Sequence, residues 1–362
     1  MKKLLTFLLA AVMVMSLLVG CGSTDQTATT AAPEGSTEAA VDGEEAPAVG
    51  EEEEAEDPLA TGDFTADDPL NQDEIGEKEI LVVSFGTSFN DSRVATIGGI
   101  EKAIAAANPD WAVRRAFTAQ IVIDHIAQYP GELTDEQKTQ LGKTDEELTA
   151  LTTIDNVEQA LKRARDNGVK QLLVAPTHLM NGNEYDELNA TLAKYNADFE
   201  SIAVSEPLLT SDDDKTAVAK ELVELTKDYD DGETAIVFMG HGTDHKANSV
   251  YTEMQDVIRA NGDDNYFVGV VHDGAQPDLN TVLKEVQDAG KYKKVVLRDM
   301  MVVAGDHANN DMSDLEDPES WASTFKAAGF EVETVLEGLG QVEPIQKIYV
   351  DHVAAAMEKL GK

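Results

Sequence analysis

Three histidines, each placed just after a predicted β-strand, are the residues of this chain best suited to chemistry. They are His241, His272 and His307, and the whole sequence holds seven histidines. Imidazole binds divalent metal ions and exchanges protons near neutral pH. Ligands of open α/β sheets bind beyond the carboxyl ends of the strands, so we expect these three side chains to share one cleft. The sequence therefore predicts a metal-handling site.

The surroundings of His241 favour close approach of a ligand. It lies between Gly240 and Gly242, and glycine lets a backbone come near a bound molecule. His245 is spaced to share a helix face with His241, a spacing that can bind metal. A helix that starts near His245 would leave His241 outside it, so we interpret His245 as a residue at the rim of the site.

Two aspartates adjoin the other histidines. Asp273 follows His272, and Asp306 precedes His307. Either carboxylate could orient its neighbouring ring by accepting a hydrogen bond from the nitrogen that does not bind metal. Capping of a helix explains Asp306 equally well.

The first half of the chain supplies four further candidate site residues. His178 precedes Glu184 by six positions, and His178 could face the same cleft from the opposite side. Glu184 is predicted to begin a helix, where the helix dipole alone favours a carboxylate. Arg114 and Arg115 form a basic pair in an acidic chain and could bind the carboxylates of an anionic ligand. Ion pairing with nearby acidic residues explains this arginine pair equally well.

The first 21 residues have the pattern of a secretory signal that ends at a lipid-modified cysteine. Lys2 and Lys3 precede an apolar run over residues 4–15, and Cys21 is the single cysteine. The run is too short for a membrane-spanning helix. Small residues before Cys21 resemble a bacterial lipobox, so we expect lipidation at Cys21. We expect the protein at the outer face of the cell membrane, or in the periplasm of a cell with two membranes. The alternative is a secreted protein with a spare thiol.

Residues 22–77 are predicted to form an acidic, disordered tether. The segment contains the run Glu51 to Glu54 and has no Lys or Arg. Few apolar groups and charge of one sign give too little burial to offset the entropy of ordering. The whole chain carries a formal charge of −41, and the part after the tether is also acidic. This charge argues against a nucleic-acid partner, because phosphates would be repelled.

Strand-like and helical patterns alternate through residues 78–362, which predicts an α/β fold with mainly parallel sheets flanked by helices. A helix is expected over residues 92–107 and a final amphipathic helix over 344–360. The predicted strands span residues 80–85, 112–117, 171–175, 199–204, 235–239, 267–271, 294–297 and 331–336.

A weak internal repeat relates the segment 79–87 to the segment 233–243, since both read as an apolar strand followed by glycine and threonine. We therefore expect two similar lobes, at about 78–228 and 229–345, which face each other across a cleft. The final helix is expected to pack back on them.

Six segments, in order along residues 78–358, resemble the anaerobic sirohydrochlorin cobaltochelatases of the CbiK type, which are class II tetrapyrrole chelatases. The resemblance implies two α/β lobes around a cleft, in agreement with the strand pattern. It also implies insertion of Co²⁺, the metal substrate, into sirohydrochlorin. The matching segments are Ile80–Ser88, Arg115–Thr118, Asn181–Tyr185, Phe238–Thr243, Val303–Met312 and Gly338–Gly340.

The resemblance implies roles for particular residues. His241 and His307 would handle the metal and take part in catalysis, and Glu184 matches a catalytic glutamate of the cleft. The family's third metal ligand is a glutamate, and His272 stands at that position here. Three neutral imidazoles compensate less of the ion's charge than two imidazoles and a carboxylate. They also shift the metal preference toward Co, Ni, Zn or Cu.

Two functions follow from these observations. The first is a lipid-anchored chelatase that inserts Co²⁺, or alternatively Fe²⁺, Ni²⁺ or Zn²⁺, into sirohydrochlorin. Arg115, Arg114 and His178 would contact the substrate. The second is an exported lipoprotein that binds metal or haem-like tetrapyrroles without turnover. The export signal and His272 favour this second function. Whether the protein forms a homo-oligomer is left open by the sequence.

Overall fold

The computed structural model describes residues 57–262 and 264–360. The predicted signal segment, Cys21 and the predicted tether up to residue 56 lie outside the described residues. Within the described part of the chain, no helix combines the length and the apolar character needed to cross a membrane.

In the described part of the chain, two four-stranded parallel sheets form the framework, which confirms the predicted fold class. The sheet orders are β2-β1-β3-β4 and β6-β5-β7-β8. All eight strands lie within two residues of their predicted bounds. They are β1 (Lys78–Ser84), β2 (Ala112–Phe117), β3 (Gln171–Pro176), β4 (Ser201–Val204), β5 (Thr234–Gly240), β6 (Tyr266–Val270), β7 (Lys294–Asp299) and β8 (Glu331–Val335).

Helices connect the strands and cover the faces of both sheets. Among the described residues they are α1 (Asn90–Ala95), α2 (Ile97–Ala107), α3 (Gln120–Glu132), α4 (Asp135–Leu141), α5 (Asp145–Thr152), α6 (Val157–Asp166), α7 (Asn183–Tyr195), α8 (Asp212–Thr226), α9 (Ser249–Asn261), α10 (Leu279–Ala289), α11 (Trp321–Ala327) and α12 (Glu343–Met357). A π-helical turn also spans Ala308–Met312.

The single helix expected over residues 92–107 is interrupted. The Thr96 hydroxyl donates to the Ser92 carbonyl at 2.6 Å, and Thr96 separates α1 from α2. A threonine that bonds back to the carbonyl four residues earlier tends to bend a helix. The bend is the physical reason why one predicted helix is observed as two.

The two sheets have equivalent strand orders, so β1 and β5 occupy equivalent positions, as the internal repeat predicts. In each sheet the chain moves from one side of the first strand to the other between the second and third strands. Loops at such a switch in strand order diverge and leave a crevice at the carboxyl edge. In the second sheet this switch lies between β5 and β7.

One hydrophobic core is continuous between the two lobes. It contains Ile80 and Leu173 of the first sheet together with Ile236 and Phe238 of the second. Helix α8 of the first lobe packs on α9 of the second, and α12 returns to pack on α2 and β3. The Tyr349 hydroxyl anchors α12 by donating to the Thr177 carbonyl at 3.0 Å. The lobes are therefore halves of one packed body.

The prediction of a disordered tether is wrong for residues 57–77, which pack on the first lobe. Phe64 is 1% exposed and lies in a cluster with Phe117 and Tyr129. Asp67 pairs with Arg93 at 2.7 Å and with Arg115 at 2.6 Å. One buried aromatic ring and one doubly paired carboxylate hold a segment whose average composition suggested disorder.

The arginine pair lies inside β2, buried, and does not reach the cleft. Arg115 binds Glu101 at 2.6 Å in addition to Asp67. Arg114 lies 3.5 Å from Asp155 and 3.8 Å from Glu79. Burial raises the pKa of Glu79 to about 7. The substrate-binding role predicted for Arg114 and Arg115 is thus replaced by internal ion pairing, because neighbouring acids hold both guanidinium groups.

We predict that Arg115→Met lowers the free energy of unfolding by about 3 kcal/mol or more, because it leaves the buried carboxylates of Asp67 and Glu101 without their cation. Urea denaturation at pH 7 measures the loss. The control is Lys347→Met, which breaks an exposed pair with Asp351 and should change stability by about 0.5 kcal/mol or less. Equal effects of the two variants would contradict a structural role for Arg115.

Candidate metal centre

His241 directly follows β5, in a loop of fixed shape. Gly242 has φ +89°, and a Cβ there would lie 2.8 Å from the Cβ of Val270, so only glycine fits. The Gly242 N–H donates to the Tyr251 hydroxyl at 3.1 Å. The His241 Nδ1 lies 2.7 Å from the Gly242 carbonyl oxygen. Because a carbonyl can only accept, Nδ1 carries the proton and Nε2 keeps the lone pair that a metal needs.

His272 is tied to the same loop through its backbone. Its N–H donates to the His241 carbonyl at 2.7 Å, and the centroids of the two rings are 5.6 Å apart. Its Nε2 lies 3.5 Å from an oxygen of Asp244. The carboxylate beside this ring is therefore Asp244, which was not predicted, and not the predicted neighbour Asp273.

His307 stands at the start of the π-helical turn, with its ring centroid 4.7 Å from that of His241. Its Nδ1 lies 2.6 Å from an oxygen of Asp311, four residues later. The predicted orienting residue, Asp306, instead accepts a hydrogen bond from Asn310 at 2.7 Å. Asp311 thus fixes the ring and leaves Nε2 as the nitrogen available for metal. The histidine–aspartate spacing of four on a helix was the signal that could have identified it.

The three predicted histidines lie near one another, but their ligand atoms do not form a tight cluster. Among the described residues, one group of ligand atoms lies within 4.8 Å of one another throughout, and it consists of Asp306, His307 and Asp311. The His241–His272–His307 trio is spaced more widely than this group. The trio therefore lines a cleft rather than forming a closed metal cage.

The pKa values of the two central histidines shift in opposite directions. Burial lowers the pKa of His241, and the nearby His307 and His272 rings lower it further. The hydrogen bond with Asp311 raises the pKa of His307. At neutral pH His241 is therefore held neutral, as a metal ligand must be, whereas His307 retains a proton more readily.

His178 and Glu184 belong to the opposite lobe, where both follow β3, and their roles at the cleft stay predictions. Burial lowers the pKa of His178 to about 4, and neither ring nitrogen has a hydrogen-bond partner within the described residues. Glu184 lies in the first turn of α7. Its negative charge opposes the lowering of the pKa of both His178 and His241.

His245 lies beside the trio, at the start of a short 3₁₀ turn. Its Nδ1 accepts from the Ala247 N–H at 3.1 Å, so Nε2 carries the proton. That nitrogen lies 3.7 Å from Asp186 on α7 of the other lobe. His245 thus links the two lobes across the cleft.

A family model for cobalt chelatase (CbiK) matches residues 78–358. The chain belongs to this family. It is 30% identical over 281 residues to the sirohydrochlorin cobaltochelatase of Salmonella typhimurium, and this match covers 78% of this chain and 97% of that relative. It is also 30% identical over 286 residues to the sirohydrochlorin cobaltochelatase CbiKC of Nitratidesulfovibrio vulgaris, covering 78% of this chain and 92% of that relative.

A solved structure of similar fold is SirB from Bacillus subtilis with Fe³⁺. Its TM-score is 0.51 at 12% sequence identity, and the match covers 78% of this chain and 96% of that one. At this identity the likeness concerns the fold alone. It agrees with the two parallel sheets expected for a member of the chelatase family.

We predict that Asp311→Asn lowers the pKa of His307 in the metal-free protein, because the amide removes the negative charge that stabilises the protonated ring. NMR titration of the imidazole Cε1–H signals measures this pKa. Asp306→Asn is the matched control, because Asp306 acts on His307 only through its charge and should give a smaller shift. A larger shift for Asp306→Asn than for Asp311→Asn would show that the orienting carboxylate is misassigned.

Proposed function

We propose that the protein is a metal chelatase that inserts Co²⁺ into sirohydrochlorin. The observation that carries the proposal is the pair of imidazoles at the carboxyl ends of β5 and β7. The rings of His241 and His307 are 4.7 Å apart, and each Nδ1 is engaged elsewhere. Both rings thus offer Nε2 to one ion, in a chain whose relatives are named sirohydrochlorin cobaltochelatases.

Metal insertion requires the ion to lose water and two pyrrole N–H groups to lose their protons. Neutral imidazoles replace water around the ion, and His241 is held neutral by its surroundings. Glu184, on the opposite lobe, is suited to accept a pyrrole proton as a general base. The cleft therefore supplies metal ligands from one lobe and a proton acceptor from the other.

The ligand set favours metals that prefer nitrogen. Imidazole suits Co²⁺, Ni²⁺ and Zn²⁺, and binds Fe²⁺ less strongly in the usual order of affinities. Co²⁺ as the substrate fits both the ligands and the family. Because Arg114 and Arg115 are buried in ion pairs, the carboxylates of sirohydrochlorin must be bound by other groups of the cleft, among which His178 remains a candidate.

A second candidate function is an exported lipoprotein that binds a divalent metal or a haem-like tetrapyrrole without turnover. His272 favours it, since this ring stands where the family resemblance implies a glutamate. The signal segment favours it as well, because it directs the chain out of the compartment in which tetrapyrroles are usually made. In both candidate functions the protein is exported and held at the membrane through Cys21.

We predict that the full-length protein accelerates the Co²⁺-dependent change in the absorption spectrum of sirohydrochlorin under anaerobic conditions. His241→Ala or His307→Ala should lower the rate about 100-fold or more, because each removes a ligand of the metal substrate. The control His352→Gln replaces a histidine held by the Glu206 carbonyl and by Asp214, and should leave the rate unchanged. Tight haem binding with no spectral change above the uncatalysed rate would favour the second function.

We predict that the protein expressed with its own signal segment incorporates labelled fatty acid and sediments with membranes. Cys21→Ser should abolish the label and release the protein, because it removes the thiol that lipidation requires. Gel fluorography and membrane fractionation measure the two effects. Release of the unsubstituted protein without label would contradict the lipid anchor.

A further inference from the structure

Asn248 lies just before α9 and connects two loops near His241 through its side-chain amide. Within the described part of the chain, this amide makes no capping bond to α9, which is the usual role of an asparagine at such a position. Its Nδ2 donates instead to the Gln276 carbonyl at 2.8 Å, in the loop that follows β6. Its Oδ1 accepts from the Thr243 N–H at 3.0 Å, in the loop that follows β5.

These two partners fix which end of the Asn248 amide faces which loop. The Gln276 carbonyl can only accept a hydrogen bond, so it faces the NH₂ group. The Thr243 N–H can only donate, so it faces Oδ1. The same two loops are also joined by their backbones, since the His272 N–H donates to the His241 carbonyl at 2.7 Å. The orientation of the amide is therefore determined by the fold.

The Thr243 N–H belongs to the same peptide group as the Gly242 carbonyl. A trans peptide group is planar, so its N–H and its carbonyl point in opposite directions. Asn248 binds the N–H side, and the carbonyl therefore points away from Asn248. The carbonyl oxygen lies 2.7 Å from Nδ1 of His241. The Asn248 amide and the His241 ring thus bind opposite sides of one peptide group.

Reversal of this peptide group would exchange the tautomer of His241. Gly242 has no side chain, so little steric hindrance opposes another orientation of its carbonyl. After a reversal the Thr243 N–H would face the ring, and Nδ1 would have to accept a hydrogen bond. The ring proton would then lie on Nε2, the nitrogen that the proposed function assigns to the metal substrate. The hydrogen bond from Thr243 to Asn248 opposes this reversal.

We propose that Asn248 is a positioning residue that keeps Nε2 of His241 free for the metal substrate. The proposal rests on the proposed function in taking His241 as a ligand. The hydrogen bonds form one chain that runs from the His241 ring through the peptide group to Asn248 and ends at the Gln276 carbonyl. Every donor in the chain points toward Gln276. Hydrogen bonds to the ring nitrogen that does not bind metal fix the tautomer and orient the ring.

The tautomer of His241 in the metal-free protein tests the proposal. The full-length protein is labelled with ¹⁵N, and His241→Ala assigns the ring signals. Spectra are recorded at about pH 8.5, roughly two units above the ordinary pKa of histidine, so that the ring is neutral. The unsubstituted protein should carry the proton on Nδ1. Asn248→Leu should move much of it to Nε2 and raise the Co²⁺ dissociation constant about 10-fold. A tautomer unchanged by Asn248→Leu would overturn the proposal.

Two further variants separate positioning from a general loss of stability. Asn248→Asp retains an oxygen for the Thr243 N–H and should keep the His241 proton on Nδ1. Asn261 ends the same helix, where its Nδ2 donates to the Val257 carbonyl at 2.8 Å. Asn261→Leu should therefore change neither the tautomer nor the Co²⁺ affinity. A tautomer shift in either variant equal to that of Asn248→Leu would also show the proposal to be wrong.

Failure of the proposed function would be a different result. Both measurements use the protein without any tetrapyrrole, so they do not depend on chelation. If chelation is absent while Asn248→Leu changes the tautomer and the Co²⁺ affinity as stated, the proposed function is wrong and the role of Asn248 stands.

Discussion

The candidate site depends on one constraint, the parallel direction of the strands in each sheet. Both sheets are parallel, so all strands of one sheet end at the same edge. The strand order then switches between β5 and β7, and the loops after them diverge. His241 and His307 stand on those two loops. Neither lobe needs a dedicated binding module, because the topology itself creates the crevice.

This constraint explains how much could be predicted from the sequence. All eight strands could be located within two residues. The central strands β1 and β5, buried on both faces, appear as continuous apolar runs, and the histidines that follow the strands of the second sheet could be assigned to one edge. The orienting role of Asp311 was not predicted, because Asp306 and Asp273 are the aspartates directly next to His307 and His272 in the sequence. A helical turn brings the fourth residue, and not the next one, beside His307.

The errors share one physical origin, which is that partners distant in sequence cannot be read from composition. Arg115 resembled a ligand for an anion because Glu101 and Asp67 lie 14 and 48 positions away. The contact between Arg115 and Asp67 also explains the error for residues 57–77. These residues include few apolar side chains, and the burial of Phe64 could not be predicted from that composition. The burial of the Arg115 guanidinium in β2 and the packing of residues 57–77 over it depend on the same ion pair, that of Arg115 with Asp67.

The continuity of the core across both lobes has a consequence for the stiffness of the cleft. Any hinge-like opening would separate α8 of the first lobe from α9 of the second, and would expose part of the shared core to water at about 25 cal/mol for each Å². The width between the lobes is therefore set when the chain folds. We expect such a cleft to keep its shape when a flat macrocycle binds. The macrocycle then bends and the protein does not.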